Sequence, residues 1–127
     1  MTFHIQQNVS LAPYTSFGVG GEAEHFSLVR NADDLIEALQ CTTPETQLWT
    51  LGFGSNCWIS DKGLPGMTLC IRGGDISVDS EKQQIIADAG AWWDDVVQAA
   101  IDHELWGIEL MSEIPGSVGA SAFINIT

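Results

Sequence analysis

Two glycines flanking a single residue, in Leu51-Gly52-Phe53-Gly54-Ser55-Asn56, constrain this chain more than any other feature. The group directly follows the apolar run Leu48-Trp49-Thr50-Leu51, which reads as a strand. Without Cβ atoms, Gly52 and Gly54 are free to take φ > 0 and to let a ligand approach the main chain closely. Successive backbone N–H groups in such a turn form a concavity suited to an anion, above all a phosphate. The chain has only four Lys and Arg residues with which to hold an anion in any other way. An ordinary glycine-rich connection between two strands satisfies the same pattern. Neither common phosphate fingerprint is present: no Lys-Ser/Thr follows the glycines, and no third Gly opens a helix. A dinucleotide held here is therefore not held in the Rossmann manner.

A second cluster, Ile114-Pro115-Gly116-Ser117-Val118-Gly119-Ala120-Ser121, carries two glycines three apart among small residues. Pro115 fixes its own φ and biases Ile114 toward an extended backbone. A β-turn with Pro at its second position and Gly at its third accounts for the segment. A loop against which something flat or charged lies would need the same small side chains.

The 127 residues match one domain with a real core. Apolar residues make up 45% and charged residues 17%, a globular composition and not a disordered one. A net charge of −13 argues against nucleic acid or an anionic membrane surface as partner. It does not exclude a phosphate ligand, since main-chain N–H groups can supply positive potential. No run of about 18 apolar residues exists to span a membrane. The start, Met1-Thr2-Phe3-His4-Ile5-Gln6-Gln7, lacks the basic-then-apolar form of a signal peptide. Cys41, Cys57 and Cys70 are odd in number and widely spaced, which favours a reducing cytoplasm over a disulfide framework or zinc site. Each is read as a small core residue, with Cys57 a neighbour of the glycine loop.

The segment up to about Val9 is polar and suits an edge strand or a loose arm. Phe17-Gly18-Val19-Gly20-Gly21 reads as a turn, and His25 to Arg30 alternates as a strand does. Asn31 is a good N-cap, with Asp33 and Asp34 favouring the helix dipole and Leu35, Ile36 and Leu39 forming an apolar face. Strands are predicted from Gln47 to Leu51 and from Met67 to Arg72, and a strand pair over Ile76–Val78 and Gln84–Asp88. Trp93, Val96, Val97, Ala100, Ile101 and Leu105 recur at helical spacing, while Asp94, Asp95, Gln98 and Asp102 face away. Trp92, Trp93 and Trp106 are expected in the core around this helix, and Trp58 beside the glycine loop. Strands and isolated helices without strict alternation favour an α+β fold.

The three histidines are scattered without metal-ligand spacing. Asp94-Asp95 and Glu104 fit a solvated helix face better than a catalytic carboxylate pair. Ser55, Ser117 and Ser121 lie outside any Gly-x-Ser-x-Gly elbow.

Taken in order, Tyr14-Thr15-Ser16-Phe17-Gly18-Val19-Gly20-Gly21, Leu51 to Asn56, Gly90-Ala91-Trp92, Gly107-Ile108-Glu109, Ile114 to Gly119 and Asn125-Ile126 resemble the UDP-N-acetylenolpyruvoylglucosamine reductase family. Blocks in the right order at plausible spacing are far more specific than any one alone. The resemblance runs from about Leu11 to Thr127. It implies the amino-terminal part of a flavoenzyme of peptidoglycan precursor synthesis, with the split FAD-binding fold of vanillyl-alcohol-oxidase-type flavoenzymes. In that fold a small βαβ subdomain, here 1–72, and a larger mixed-sheet subdomain, here 73–127 and cut short at Thr127, sandwich an extended FAD. On this resemblance the substrate domain is expected to be absent from these 127 residues.

Residue by residue, the resemblance implies that the N–H groups of Gly52, Phe53, Gly54, Ser55 and Asn56 cradle the FAD pyrophosphate, with Cys57 adjoining. It implies that Ile114, Pro115, Gly116, Ser117, Val118, Gly119, Ala120 and Ser121 line the flavin, with Asn125 supporting that wall. FAD is expected to bind noncovalently, since no His sits in a matching glycine-rich context. In the parent enzyme NADPH would be the hydride donor and a nucleotide-sugar the substrate, with no metal. The family's catalytic Arg, proton-donating Ser and catalytic Glu have no counterpart here, so the chain alone is expected to be inactive. Cys57 and Trp58 replace a usual aliphatic pair, and Glu113 stands where a small residue is common. A noncatalytic flavin- or nucleotide-binding module, or a degenerate remnant, is the alternative. On this reading Gly54→Ala should weaken FAD binding more than it destabilises the fold.

Overall fold

The computed structural model describes residues 4–123, which divide into two compact units between Ile71 and Arg72. The first unit is built on a four-stranded mixed sheet in the order β1-β2-β4-β3. Its strands are β1 (Ile5–Ser10), β2 (Glu22–Val29), β3 (Leu48–Leu51) and β4 (Leu64–Ile71), and the helix α1 (Ala32–Gln40) joins β2 to β3. β1 pairs antiparallel with β2, whereas β2 and β3 both run parallel to β4. The polar amino-terminal segment thus forms an edge strand, where exposed side chains discourage pairing with other chains.

Central position explains the composition of β4. Met67, Thr68, Leu69 and Cys70 are all buried, as a parallel strand covered on both faces requires. On one face Cys70 packs with Leu11, Ala23, Phe26, Leu51 and Ile59. On the other, Met67 and Leu69 pack with Val29 and with Ala38 of α1. Phe26, fully buried, contributes about 2–3 kcal/mol by leaving water. Asn31 caps α1 as its sequence suggests, its side chain accepting from Asp34 N at 2.9 Å. The Asp34 carboxylate in turn accepts from Arg30 N at 2.9 Å.

Two strands begin three residues earlier than the alternation suggests. Glu22 is already paired with Ser10 of β1. In β4, Pro65 and Gly66 look like a turn but form an irregularity inside the strand, where the register against β2 shifts between Ala23 and His25. Gly66 has φ +79°, its N–H donates to Glu24 Oε2 at 2.6 Å, and Trp49 Nε1 donates to Pro65 O at 2.8 Å. Side-chain partners on neighbouring strands therefore hold a dipeptide that would otherwise end the strand.

The second unit contains the hairpin β5 (Ile76–Asp79) and β6 (Gln84–Ala87), α2 (Trp93–Asp102) and the short α3 (Val118–Ser121). The hairpin turn is closed by Lys82, whose N–H and Nζ reach the Asp79 carboxylate at 3.1 and 2.8 Å. Val96, Val97 and Ala100 are the buried stripe of α2, which packs on both hairpin strands, on α3 and on a 3-10 turn at Glu109–Met111. α2 ends with Glu104 N donating to Ile101 O at 3.1 Å and Leu105 N to Ala100 O at 2.8 Å. That is a Schellman closure with Glu104, at φ +56°, where glycine is usual.

The closure turns the chain off the helix axis, and three readings of the sequence change with it or beside it. Trp106 leaves the apolar stripe and is 88% exposed, not a core residue. Trp92 and Trp93 are half-buried, with Trp93 Nε1 donating to Met111 O at 2.9 Å. Cys41 is exposed at the C-terminal end of α1, whereas Cys70 is buried and Cys57 half-buried.

Candidate functional site

The first glycine loop leaves the carboxyl end of β3, beside the carboxyl end of its parallel neighbour β4, which in turn runs parallel to β2. That edge is where open sheets with parallel strands present their loops to ligands. Leu51 anchors the loop in the core, and Gly54 is buried with φ +66°. A Cβ on Gly54 would fall on the Tyr14 carbonyl oxygen, with Thr15 Cα at 2.9 Å and the Tyr14 carbonyl carbon at 3.0 Å. Ser16 N donates to Gly54 O at 3.0 Å, tying the two segments together.

The segment that crowds Gly54 is itself firmly held. The Tyr14 ring lies 4.7 Å from that of Phe26, and Thr15 Oγ1 donates to Val19 O at 2.9 Å. So the left-handed conformation and the close approach expected of Gly54 are both present, and the group that approaches it is the chain's own backbone at Tyr14 and Thr15. What remains accessible is Gly52, Phe53, Ser55 and Cys57, all half-exposed, and Asn56, which is exposed.

In the second unit, Ile114 to Ser121 are organised in the same manner. Trp93 N donates to Gly116 O at 3.0 Å, Val118 N to Ala91 O at 3.0 Å and Gly119 N to Ala89 O at 2.8 Å. Ser117 bridges to Trp92, is buried, and caps α3 by accepting from Ala120 N at 3.4 Å. Gly116 has φ +142°, and a Cβ on Gly119 would stand 2.9 Å from Ala89 Cβ. The helix α3 was not legible in the sequence, which suggested only a β-turn. Ile114, Val118, Ala120 and Ser121 are half-buried, and Pro115 and Gly119 are exposed. Asn125 lies outside the described residues.

The entry to this segment is strained. Glu113 has φ +65°, a left-handed conformation that costs a non-glycine residue about 1–2 kcal/mol. Its N–H donates to Asp94 Oδ1 at 2.8 Å, and Ser112 Oγ donates to the same atom at 2.7 Å. These two bonds, the Glu113 N–H first, hold the Asp94 carboxyl below the usual aspartate value of 3.8. Asp94, read from sequence as simply solvated, is therefore the clasp of the turn that precedes Ile114. Asp95 and Glu104 are exposed, as that reading has them.

Electrostatics distinguish the candidate segments from the rest of the chain. None of the 17 Asp and Glu residues falls within 1–21, 46–60 or 114–127. A left-handed glycine followed by Ser55 and Asn56, in a stretch free of carboxylates, fits a pyrophosphate held by main-chain and small polar donors. A hollow of about 410 Å3 elsewhere in the first unit does not, because Glu24 and Glu45 are in its wall. Among the described residues no three His, Cys, Asp or Glu side chains gather as a metal site, and no helix is long and apolar enough to cross a membrane.

This α+β chain belongs to the FAD binding domain family, whose model matches residues 23–127. Its particular likeness is to UDP-N-acetylenolpyruvoylglucosamine reductases. It is 37% identical to that of Thermobifida fusca over 130 residues, covering 99% of this chain and 36% of the relative. The reductase of Synechococcus sp. (strain CC9311) is 40% identical over 123 residues, covering 95% of this chain and 39% of the relative. The crystal structure of the Thermus caldophilus reductase superposes with a TM-score of 0.71 at 29% identity, covering 94% of this chain and 41% of that one. The chain thus spans about two fifths of the length of these relatives, and its fold is that of their FAD-binding segment.

Proposed function

We propose that the chain is the FAD-binding portion of an NADPH-dependent reductase that converts UDP-N-acetylglucosamine enolpyruvate to UDP-N-acetylmuramate for peptidoglycan synthesis in the cytoplasm. The family and its relatives support the flavin, and the names of those relatives support the reaction. The observation that carries the assignment to particular residues is the loop after β3. A left-handed Gly54 is braced against Tyr14 and Thr15, and small polar residues follow in a stretch without carboxylates.

On this proposal the main-chain N–H groups of Gly52 to Asn56, with the Ser55 hydroxyl and the Asn56 amide, hold the pyrophosphate noncovalently. Ile114 to Ser121 give a wall of small side chains against which the flavin ring lies flat. Bound FAD supplies the hydride-carrying ring, while the protein positions and shields it. No residue here is assigned the proton transfer, which needs a donor within hydrogen-bond reach of the reacting carbon.

Equilibrium dialysis of the purified chain against FAD tests the proposal. Saturable binding is expected, with all flavin released on acid precipitation and no substrate-dependent NADPH oxidation. Absence of FAD binding by the folded chain would overturn it.

A further inference from the structure

The hollow of about 410 Å3 in the first unit lies away from the glycine loop. Gln47, in its wall, precedes β3, and Met67, also in its wall, pairs with Leu48 at the start of that strand. Hollow and loop are thus at opposite ends of β3, roughly 10 Å of strand apart. The volume falls within the range of small-molecule sites, about 300–1,000 Å3. Its apolar surface is Ile5 and buried Met67, which belong to the core beneath α1. Its polar groups mostly accept. Glu24 Oε2 takes the Gly66 N–H at 2.6 Å, which leaves Oε1 for a ligand, and the exposed Glu45 carboxylate adds two more oxygens. His25 Nδ1 stands 3.3 Å from Gly66 O. A carbonyl only accepts, so Nδ1 donates there and Nε2 of the neutral ring is an acceptor. The Met67 N–H is already bonded to Gln47 O at 2.9 Å. No Lys or Arg side chain is in the wall.

A second observation points to a missing donor on this face of the sheet. Ser27 lies opposite Ile5 and two residues beyond His25 on β2. Its hydroxyl is fully buried and has no hydrogen-bond partner among the described residues, a costly state for a polar group. The acceptors are too dispersed for a metal ion: among the described residues no three His, Cys, Asp or Glu side chains gather as one. They suit a larger cation that carries several donors. A neighbouring hollow of about 470 Å3 shares Glu24 but has Lys62 in its wall, a cation of its own, and is set aside for that reason.

From this arrangement we infer that the hollow at the amino end of β3 binds a small alkylammonium compound, its ammonium group held by Glu24 and Glu45 and its methylenes lying over Ile5 and Met67. An ammonium group brings three donors and no acceptor, the complement of this wall. The field of a chain with net charge −13 draws such a cation in. The inference does not depend on the FAD assignment.

Nuclear magnetic resonance titration of the chain with cadaverine, a diamine with a plain alkyl chain, tests this without any flavin. Saturable shifts are expected at the amides of Gly66 and Met67. Glu24→Gln and Glu45→Gln should each weaken binding about two- to fivefold, the range for one exposed charge pair. Glu81→Gln removes the same charge from the hairpin of the second unit and should leave binding unchanged. Glu24→Gln keeps an acceptor for the Gly66 N–H, and Glu45→Gln tests the charge without touching that bond. The amide spectrum of each variant shows that it is folded. Absence of saturable shifts at Gly66 and Met67 would overturn the site. So would shifts spread evenly over both units, or equal weakening by all three variants, since either means general counter-ion attraction. Equal saturation by magnesium ion or by pentanediol would overturn the alkylammonium ligand.

Discussion

Gly54→Ala is expected to destabilise the first unit, and Gly18→Ala supplies its internal control. Both glycines have φ +66°, so an alanine at either pays about 1–2 kcal/mol for the left-handed backbone. Both also gain the same small stabilisation from a stiffer unfolded chain, about 0.4–1 kcal/mol. They differ in space. Nothing lies within 4 Å of a Cβ at Gly18, whereas one at Gly54 meets the backbone of Tyr14 and Thr15. Thr15 Cα at 2.9 Å must retreat by about 0.5 Å to reach ordinary contact, and the Tyr14 carbonyl must move further. Forcing such a shift in packed surroundings costs about 1–3 kcal/mol, and losing the Ser16–Gly54 bond about 0.5–1.5 kcal/mol more. The excess of Gly54→Ala over Gly18→Ala is therefore on the order of 2–4 kcal/mol. With a urea slope of about 1–2 kcal/mol per molar, the two midpoints separate by roughly 1–4 M. Urea unfolding followed by far-UV circular dichroism measures both. Coincident midpoints would show that Gly54 is not held by Tyr14 and Thr15, and would return the glycine to a purely ligand-facing role.

In the second unit, Asp94 carries a pH-dependent share of stability. Its folded-state value is depressed, so the stabilisation is present above about pH 4, where the unfolded aspartate is ionised, and is lost as pH falls through the folded value. Thermal melts of wild type and Asp94→Asn should differ most at neutral pH and converge in acid; a gap that widens below pH 4 would reverse the sign and refute the clasp. Glu104→Gly should raise stability by up to about 1 kcal/mol, because glycine meets no Cβ penalty at the left-handed end of α2. A lower melting temperature for that variant would mean that the Glu104 side chain contributes more than its backbone costs.

Local chemistry made part of this architecture legible. The stripe Val96, Val97 and Ala100, the Asn31 cap and the hairpin around Asp79–Lys82 follow from near neighbours in sequence, and the structure has each of them. The losses come from partners that are distant in sequence. Pro65-Gly66 stays within β4 because Glu24 and Trp49, on the flanking strands, bond to it. α2 stops where it does because Glu104 adopts a conformation that few non-glycine residues take, and Trp106 leaves the core as a consequence. No periodicity announces either event.

The candidate site shows the same limit in sharper form. Glycine spacing located the crowded backbone but could not say what crowds it. At Gly54 the neighbour is Tyr14, forty residues earlier, and at Gly119 it is Ala89, thirty earlier. A missing Cβ at such a place is evidence of a tight loop and only indirectly of a ligand. Support for the proposed ligand comes instead from what the braced loops leave accessible, namely half-exposed Ser55 and exposed Asn56. It comes also from charge placement. In a chain of net charge −13, no carboxylate falls within 46–60 or 114–127, the segments proposed to lie against the cofactor, and that absence is readable in the sequence before any fold is known. A glycine motif whose flanks were as acidic as the rest of the chain would support a tight turn equally well and an anion not at all.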